Sequence, residues 1–181
     1  VLFVHFVREN DGPSAPAVVD GWLERDPRVS FLGIQSADSE RTISIPGTAE
    51  HVITVGATND ATDHRRICDF SSRGPTRDGR TKPEIVAPGR NIRGARVLDS
   101  RTPDFPETKP VGVSGTSQSA PQVSGAIAVL LGRELKQKGR SLNATQLKAA
   151  LINSAQGYDG KSASNIWGYG LLDIDEFLEQ F

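Results

Sequence analysis

The sequence has one cysteine, three histidines and no long apolar run among its 181 residues. Each scarcity excludes something. A single cysteine, Cys68, leaves no partner for an internal disulfide and no cysteine-based metal cluster. It stands between Ile67 and Asp69-Phe70, where a small buried hydrophobe is expected rather than a reactive thiol. There is no His-x-x-x-His pair, so spacing offers no metal site. No stretch approaches the ~20 apolar residues that span a bilayer. The formal net charge is −1, which makes no case for nucleic acid or an anionic membrane surface as a partner. Internal repeats and low-complexity segments are also missing. The length suits one domain, and 18 glycines with 11 prolines imply many tight turns. Val1 to Val7 is apolar but has neither a basic leader nor a cleavage site, so it does not read as a signal peptide. It reads as a buried strand with no loop before it, and we expect further residues upstream of Val1.

What is present alternates between strand and helix signals. Residues 1–7 and 29–35 read as apolar strands. Ser14 to Arg25 reads as a helix between them, with Val18, Val19, Trp22 and Leu23 on one face and Asp26-Pro27 as its stop. That βαβ order implies a parallel sheet. Val52 to Ala57 reads as a third buried strand, Cys68 to Phe70 as a short one, Glu84 to Ala87 as the entry to the Pro88-Gly89 turn, and Ile92 to Val97 as another strand. Thr76 to Pro83 and Leu98 to Pro110 read as exposed, turn-rich segments. Asn143 and Gln146 have the spacing of a capping box, with Leu142 and Leu147 as a hydrophobic staple, so a helix starts there and ends by Gly157. Trp167 to Leu172 is expected to pack back on the core, and Asp173 to open a last short helix. The fold class expected is α/β, a mostly parallel sheet with helices on both faces.

One stretch stands apart. Gly112 to Gly115 is a small-residue turn, and from Ser117 to Gly132 the chain carries no charge. Ala120, Val123, Ile127, Leu130 and Leu131 recur at helical spacing, so the helix is expected to be buried all round, with Glu134 to Arg140 as its solvated end. Ser117 sits where this helix begins. As an N-cap it would only satisfy free N–H groups. As a nucleophile it would benefit from the positive end of the helix, because its reaction builds negative charge nearby. A nucleophilic serine needs a base, and the sequence offers His5, His51 and His64. His5 lies in a strand pattern, His51 before a strand, and His64 in the charged run Asp63 to Arg66; no motif links any of them to Ser117. The nucleophile elbow Gly-x-Ser-x-Gly is not matched, because Ser119 stands where its last glycine belongs.

Five segments together carry a resemblance. Gly115-Thr116-Ser117-Gln118-Ser119-Ala120-Pro121-Gln122-Val123-Ser124-Gly125 resembles the nucleophile segment of subtilisin-like serine proteases, usually Gly-Thr-Ser-Met-Ala-x-Pro-His-Val-Ala-Gly. Phe70-Ser71-Ser72-Arg73-Gly74-Pro75 and Lys82-Pro83-Glu84-Ile85-Val86-Ala87-Pro88-Gly89 resemble two further segments of that family. So do Pro46 to Ala49 with the strand Val52 to Ala57, and Gly168-Tyr169-Gly170 with Leu171 to Asp173. Their order and spacing cover most of Ile45 to Asp173.

The resemblance implies a subtilisin-like fold, Ser117 as the catalytic nucleophile, and a peptide or protein substrate. In subtilisin the triad runs Asp, then His, then Ser, so both partners precede the serine. Their contexts are absent here, and the chain resembles the C-terminal part of a subtilase domain, with Asp and His supplied from elsewhere, such as a missing N-terminal segment. The family's oxyanion asparagine follows the strand matching Val29 to Gln35. In this chain the matching stretch is Ser36-Ala37-Asp38, which puts Asp38 at that position, with Gln35 as a neighbouring donor. The family's Ser-x-Gly substrate strand is not evident in Val7 to Asn10. Gln118 and Gln122 stand where the family usually has Met and His. Calcium enters only through the resemblance, which also favours a secreted or periplasmic location. The expected function is serine endopeptidase in the full-length protein, with this chain alone inactive. The alternative is an inactive subtilase-like domain acting as a binding or structural module.

Overall fold

The computed structural model describes residues 40–59, 66–94, 111–157 and 163–181. All of them belong to the compact unit Gln35–Phe181. The expected elements at 1–7, 14–25 and 29–35, and the loop 98–110, lie outside the described residues.

Two short parallel strands form the frame. β1 (Val55–Thr58) pairs with β2 (Ile85–Pro88) in the register Val55 to Ile85 and Thr58 to Pro88. β3 (Ile92–Gly94) and β4 (Val111–Val113) make an antiparallel ribbon beyond the end of β2. The Gly168–Leu172 segment runs along the other edge of β2: Val86 N donates to Gly170 O (2.9 Å) and Leu172 N to Val86 O (2.8 Å). This is the expected return of the chain to the core. Gly168 makes it feasible, since it has φ 59° and a Cβ there would lie 2.3 Å from Pro83 O.

Three helices share one core with β2. α1 (Thr116–Lys138), α2 (Ala144–Ser154) and α3 (Ile174–Glu179) contribute Val123, Ala126, Leu130, Leu147, Leu151 and Phe177 to the cluster around Ile85 and Ala87. The apolar spacing read from the sequence selects Val123 and Leu130 of α1 and Leu147 and Leu151 of α2, but Ala120 of the same α1 series is exposed. The capping box is formed: Gln146 N donates to Asn143 Oδ1 (2.9 Å) and Asn143 N to Gln146 Oε1 (3.0 Å). Leu142 and Leu147 of the staple are both buried. Asp173 caps α3 by accepting from Glu176 N (3.0 Å). α2 stops at Ser154, earlier than Gly157, because Ala155 is already extended and Gln156 bonds to Leu171.

Further expectations are corrected. Cys68 to Phe70 is not a strand; pairing shrinks to one bridge between Thr58 and Ile67, and Asp69-Phe70 is a turn. Lys82 and Pro83 are buried rather than superficial, because the Lys82 ammonium finds Glu84 Oε1 at 2.6 Å, Val52 O at 2.8 Å and Thr54 Oγ1 at 3.1 Å. Glu134 is also buried, its carboxylate held by Arg140 (2.6 Å) and Lys138 (3.1 Å). Gly139, left-handed at φ 61°, ends the helix and turns the chain so that Arg140 returns to Glu134. Burial pushes the Glu134 pKa up, but hydrogen bonds from Arg140 and Lys138 outweigh it and hold it below the ordinary value. Finally, α1 is not buried all round. Ala120, Ser124, Ala128 and Val129 form an exposed, uncharged stripe in line with Ser117. Lack of charge identifies a face that charge does not solvate, but it does not say which neighbour covers it.

Candidate active site

The carboxyl end of β2 meets the amino end of α1. In α/β proteins sites gather beyond the carboxyl ends of parallel strands. The join is made by glycines: Gly115 N donates to Gly89 O at 2.7 Å, and Gly115 O accepts from Gln118 N at 3.0 Å. Next to it, Asn91 N donates to Ser114 Oγ (2.9 Å), tying the β3 side of the turn to the residues before the helix.

Ser117 is the second residue of α1 rather than its cap. Gly115 is the N-cap, with φ 158° and ψ 161°, and no side chain caps the helix. The reason is the Gly89–Gly115 bond, which fixes Gly115 outside the helix and starts the coil at Thr116. A capping serine has its hydroxyl committed to an N–H two or three residues on. Ser117 is exposed and has no such duty. It stands in the first helical turn, where free N–H groups and the dipole favour developing negative charge, and no acidic residue in that turn opposes it.

The other sequence candidates are placed differently. His5, His64, Asp38 and Gln35 lie outside the described residues. His51 is exposed in the turn before β1. Ser117 joins the far end of the parallel strands, so at least the length of β1, about 13 Å for four residues, separates the two ends. Among the described residues no histidine is brought to Ser117. Cys68 is 1% exposed, and its Sγ donates to Thr58 O at 3.0 Å. Burial pushes its pKa up, against the opposing pull of Arg90. This is the packed thiol that the sequence predicts. No group of three or more His, Cys, Asp or Glu side chains is arranged to hold a metal among the described residues. No described helix is long and apolar enough to cross a membrane.

The remaining motif residues build the support. Ser71 Oγ accepts from Ala57 N (3.0 Å), closing a backbone donor of β1. Gly74 N donates to Lys82 O (3.0 Å), and a Cβ on Gly74 would lie 2.5 Å from that oxygen. Arg90 lies over the Phe70 ring, 5.4 Å from its centroid, and pairs with Asp69. Gln122 is the residue whose role sequence reading misses: its Nε2 donates to Pro88 O (2.6 Å) and to Gln118 O (2.8 Å). The departure from the usual histidine flags the position. Its double attachment is a tertiary fact.

The class defined here is an α/β domain in which an exposed serine stands in the first turn of a helix, beyond the carboxyl end of two parallel strands. The Subtilase family profile matches residues 26–170, and the chain belongs to that family. It is 32% identical over 181 residues to the serine protease AprX of Bacillus subtilis, covering 95% of this chain and 39% of AprX. It is 34% identical over 120 residues to pyrolysin of Pyrococcus furiosus, covering 63% of this chain and 8% of pyrolysin. Among solved structures, the CspB protease of Clostridium perfringens superposes with a TM-score of 0.65 at 31% identity, over 80% of this chain and 30% of that one. Fervidolysin from Fervidobacterium pennivorans, described as a keratinolytic enzyme related to subtilisin, gives 0.58 at 28%, over 76% and 20%. The chain thus spans well under half the length of these relatives. The fold is a partial subtilisin-like α/β arrangement, as the five segments imply.

Proposed function

We propose that this chain is the C-terminal part of the catalytic domain of a serine endopeptidase, and that Ser117 is its nucleophile. One observation carries the reading: Ser117 is exposed in the first turn of α1, free of capping, and fixed at the strand end through Gly115 and Gly89. Its Oγ attacks the carbonyl carbon of a peptide bond while a histidine takes the hydroxyl proton. The oxyanion that forms faces the Ser117 N–H at the positive end of the helix. The histidine then passes its proton to the departing amine. Water hydrolyses the acyl-enzyme and restores Ser117. Histidine and aspartate come from residues outside this sequence, in the order of the subtilisin triad. The exposed uncharged stripe of α1 supports this division, since it runs from Ser117 along the helix and suits cover by the rest of such a domain.

A fluorophosphonate probe tests the reading. In the full-length protein it should label Ser117 at neutral pH, and Ser117→Ala should abolish labelling. An unlabelled wild type would sink it and leave the binding or structural module, a reading favoured by the alignment of Asp38 with the family's oxyanion asparagine. The 181 residues alone should show no useful turnover. In subtilisin, loss of triad members leaves only about 10³ to 10⁴ of acceleration over water.

A further inference from the structure

Two ties bracket Ser117, and both lead to consecutive residues at the end of β2. On one side, Gly115 N donates to Gly89 O at 2.7 Å. On the other, Gln122 Nε2 joins Gln118 O (2.8 Å) to Pro88 O (2.6 Å). Gln118 follows Ser117 directly, and Pro88 is the last residue of β2. One amide therefore clips the nucleophile turn to the sheet. A carboxamide nitrogen has two hydrogens and can serve two acceptors at once. An imidazole nitrogen has one at most, so the histidine usual at this position in the resembling segment cannot make both bonds from a single nitrogen.

We propose that Gln122 is a positioning residue for Ser117: its carboxamide holds the first turn of α1 on the end of β2 and so sets the direction of the serine Oγ. The proposal rests on Ser117 being the nucleophile. A nucleophile displaced by about 1 Å can lose about 100-fold in rate, so removing one of two brackets should be felt in the chemical step. Substrate contacts remain, and KM should hardly move.

The test uses the full-length protein and three variants. Gln122→Glu keeps the shape but presents a carboxylate to two carbonyl oxygens, with no hydrogen to give. Gln122→Leu removes both bonds without charge. Gln122→His can restore one. The rate of fluorophosphonate reaction at Ser117, and kcat on a peptide substrate, should fall about 10- to 100-fold for Glu and Leu and by less for His. KM should stay within about twofold in all three. The ratio of Gln122→Glu to wild type should rise as pH falls and its carboxyl gains a proton to donate; the ratio for Gln122→Leu should stay flat. Forming the ratio cancels the titration of the catalytic base. If Gln122→Glu does not fold, Leu and His still decide. A reactive wild type whose variants stay within about twofold overturns the role of Gln122 alone, as does a rise in KM with kcat unchanged. A wild type that does not react overturns the nucleophile reading, and this proposal with it.

Discussion

Gly89 and Ser119 meet with no room for a side chain between them: a Cβ on Gly89 would lie 2.4 Å from Ser119 Oγ, 2.6 Å from Ala57 Cβ and 2.9 Å from Gly115 O. Sheet and helix touch here through a glycine because the Gly115–Gly89 hydrogen bond brings the backbones together. Ser119 is fully buried at the contact. Gly89→Ala should therefore push the start of α1 away from β2. Overpacking of this kind costs about 1–3 kcal/mol. A denaturant melt of the variant should show that loss, and fluorophosphonate labelling of Ser117 should slow in parallel. An unchanged melt would mean that the turn yields freely.

A second prediction concerns the ion cluster under the other end of β2. Glu84 is 3% exposed and its Oε1 lies 2.6 Å from both Lys82 Nζ and Lys148 Nζ, while Oε2 accepts from Thr54 N at 2.7 Å. Lys82 is 1% exposed, and burial pushes its pKa down against the pull of Glu84. Glu84→Gln strips the counter-charge from a buried ammonium. Breaking such a pair by removing one partner costs about 3–5 kcal/mol. Chemical denaturation at neutral pH should show a loss of that size. A loss below about 1 kcal/mol would mean that Lys82 deprotonates or reaches water without penalty.

The turn at 76–80 predicts an acid response. Arg80 and then Thr76 hydrogen-bond the Asp78 carboxylate and lower its pKa from 3.8 to about 2. A carboxylate with a depressed folded pKa adds stability above its unfolded value and loses it as pH falls through the folded one. Any contribution from Asp78 is thus full above about pH 4 and fades toward pH 2. Because the group is solvent-exposed, the effect should be small. Thermal melts from pH 2 to 5 should fall less steeply for Asp78→Asn than for the wild type; identical slopes would assign the acid response elsewhere.

How much of this was legible depends on whether a feature is local. The capping box of Asn143 and Gln146 and the Asp173 cap were readable because each lies within one helical turn. Val123 and Leu130 on the core face of α1 followed from its period, whereas Ala120 of the same series is exposed. Glu134, Lys82 and Glu84 were not legible as buried charges, since their partners are set by a left-handed Gly139, by the 52–54 backbone and by α2. The start of α1 was misplaced by two residues for the same reason: the bond that fixes it comes from Gly89, 26 positions earlier in the chain. Gln122 stood out only as a departure, because Pro88 O lies across the join.

The last prediction returns to Asp38, which lies outside the described residues. The resemblance aligns it with the oxyanion asparagine, whose side-chain N–H donates to the charge that builds on the carbonyl oxygen. A carboxylate accepts and does not donate, so aspartate there would repel that charge at neutral pH. In subtilisin, loss of this donor lowers turnover by about 10² to 10³. If the alignment holds and Ser117 is the nucleophile, Asp38→Asn in the full-length protein should raise kcat by up to that factor, with KM little changed, because the added bond forms only as the oxyanion does. Lowering the pH should raise the wild type relative to the variant, since a protonated Asp38 can donate. An Asp38→Asn enzyme with wild-type kcat and the same pH profile would place Asp38 away from the oxyanion and leave the Ser117 N–H as the donor that this part of the chain supplies.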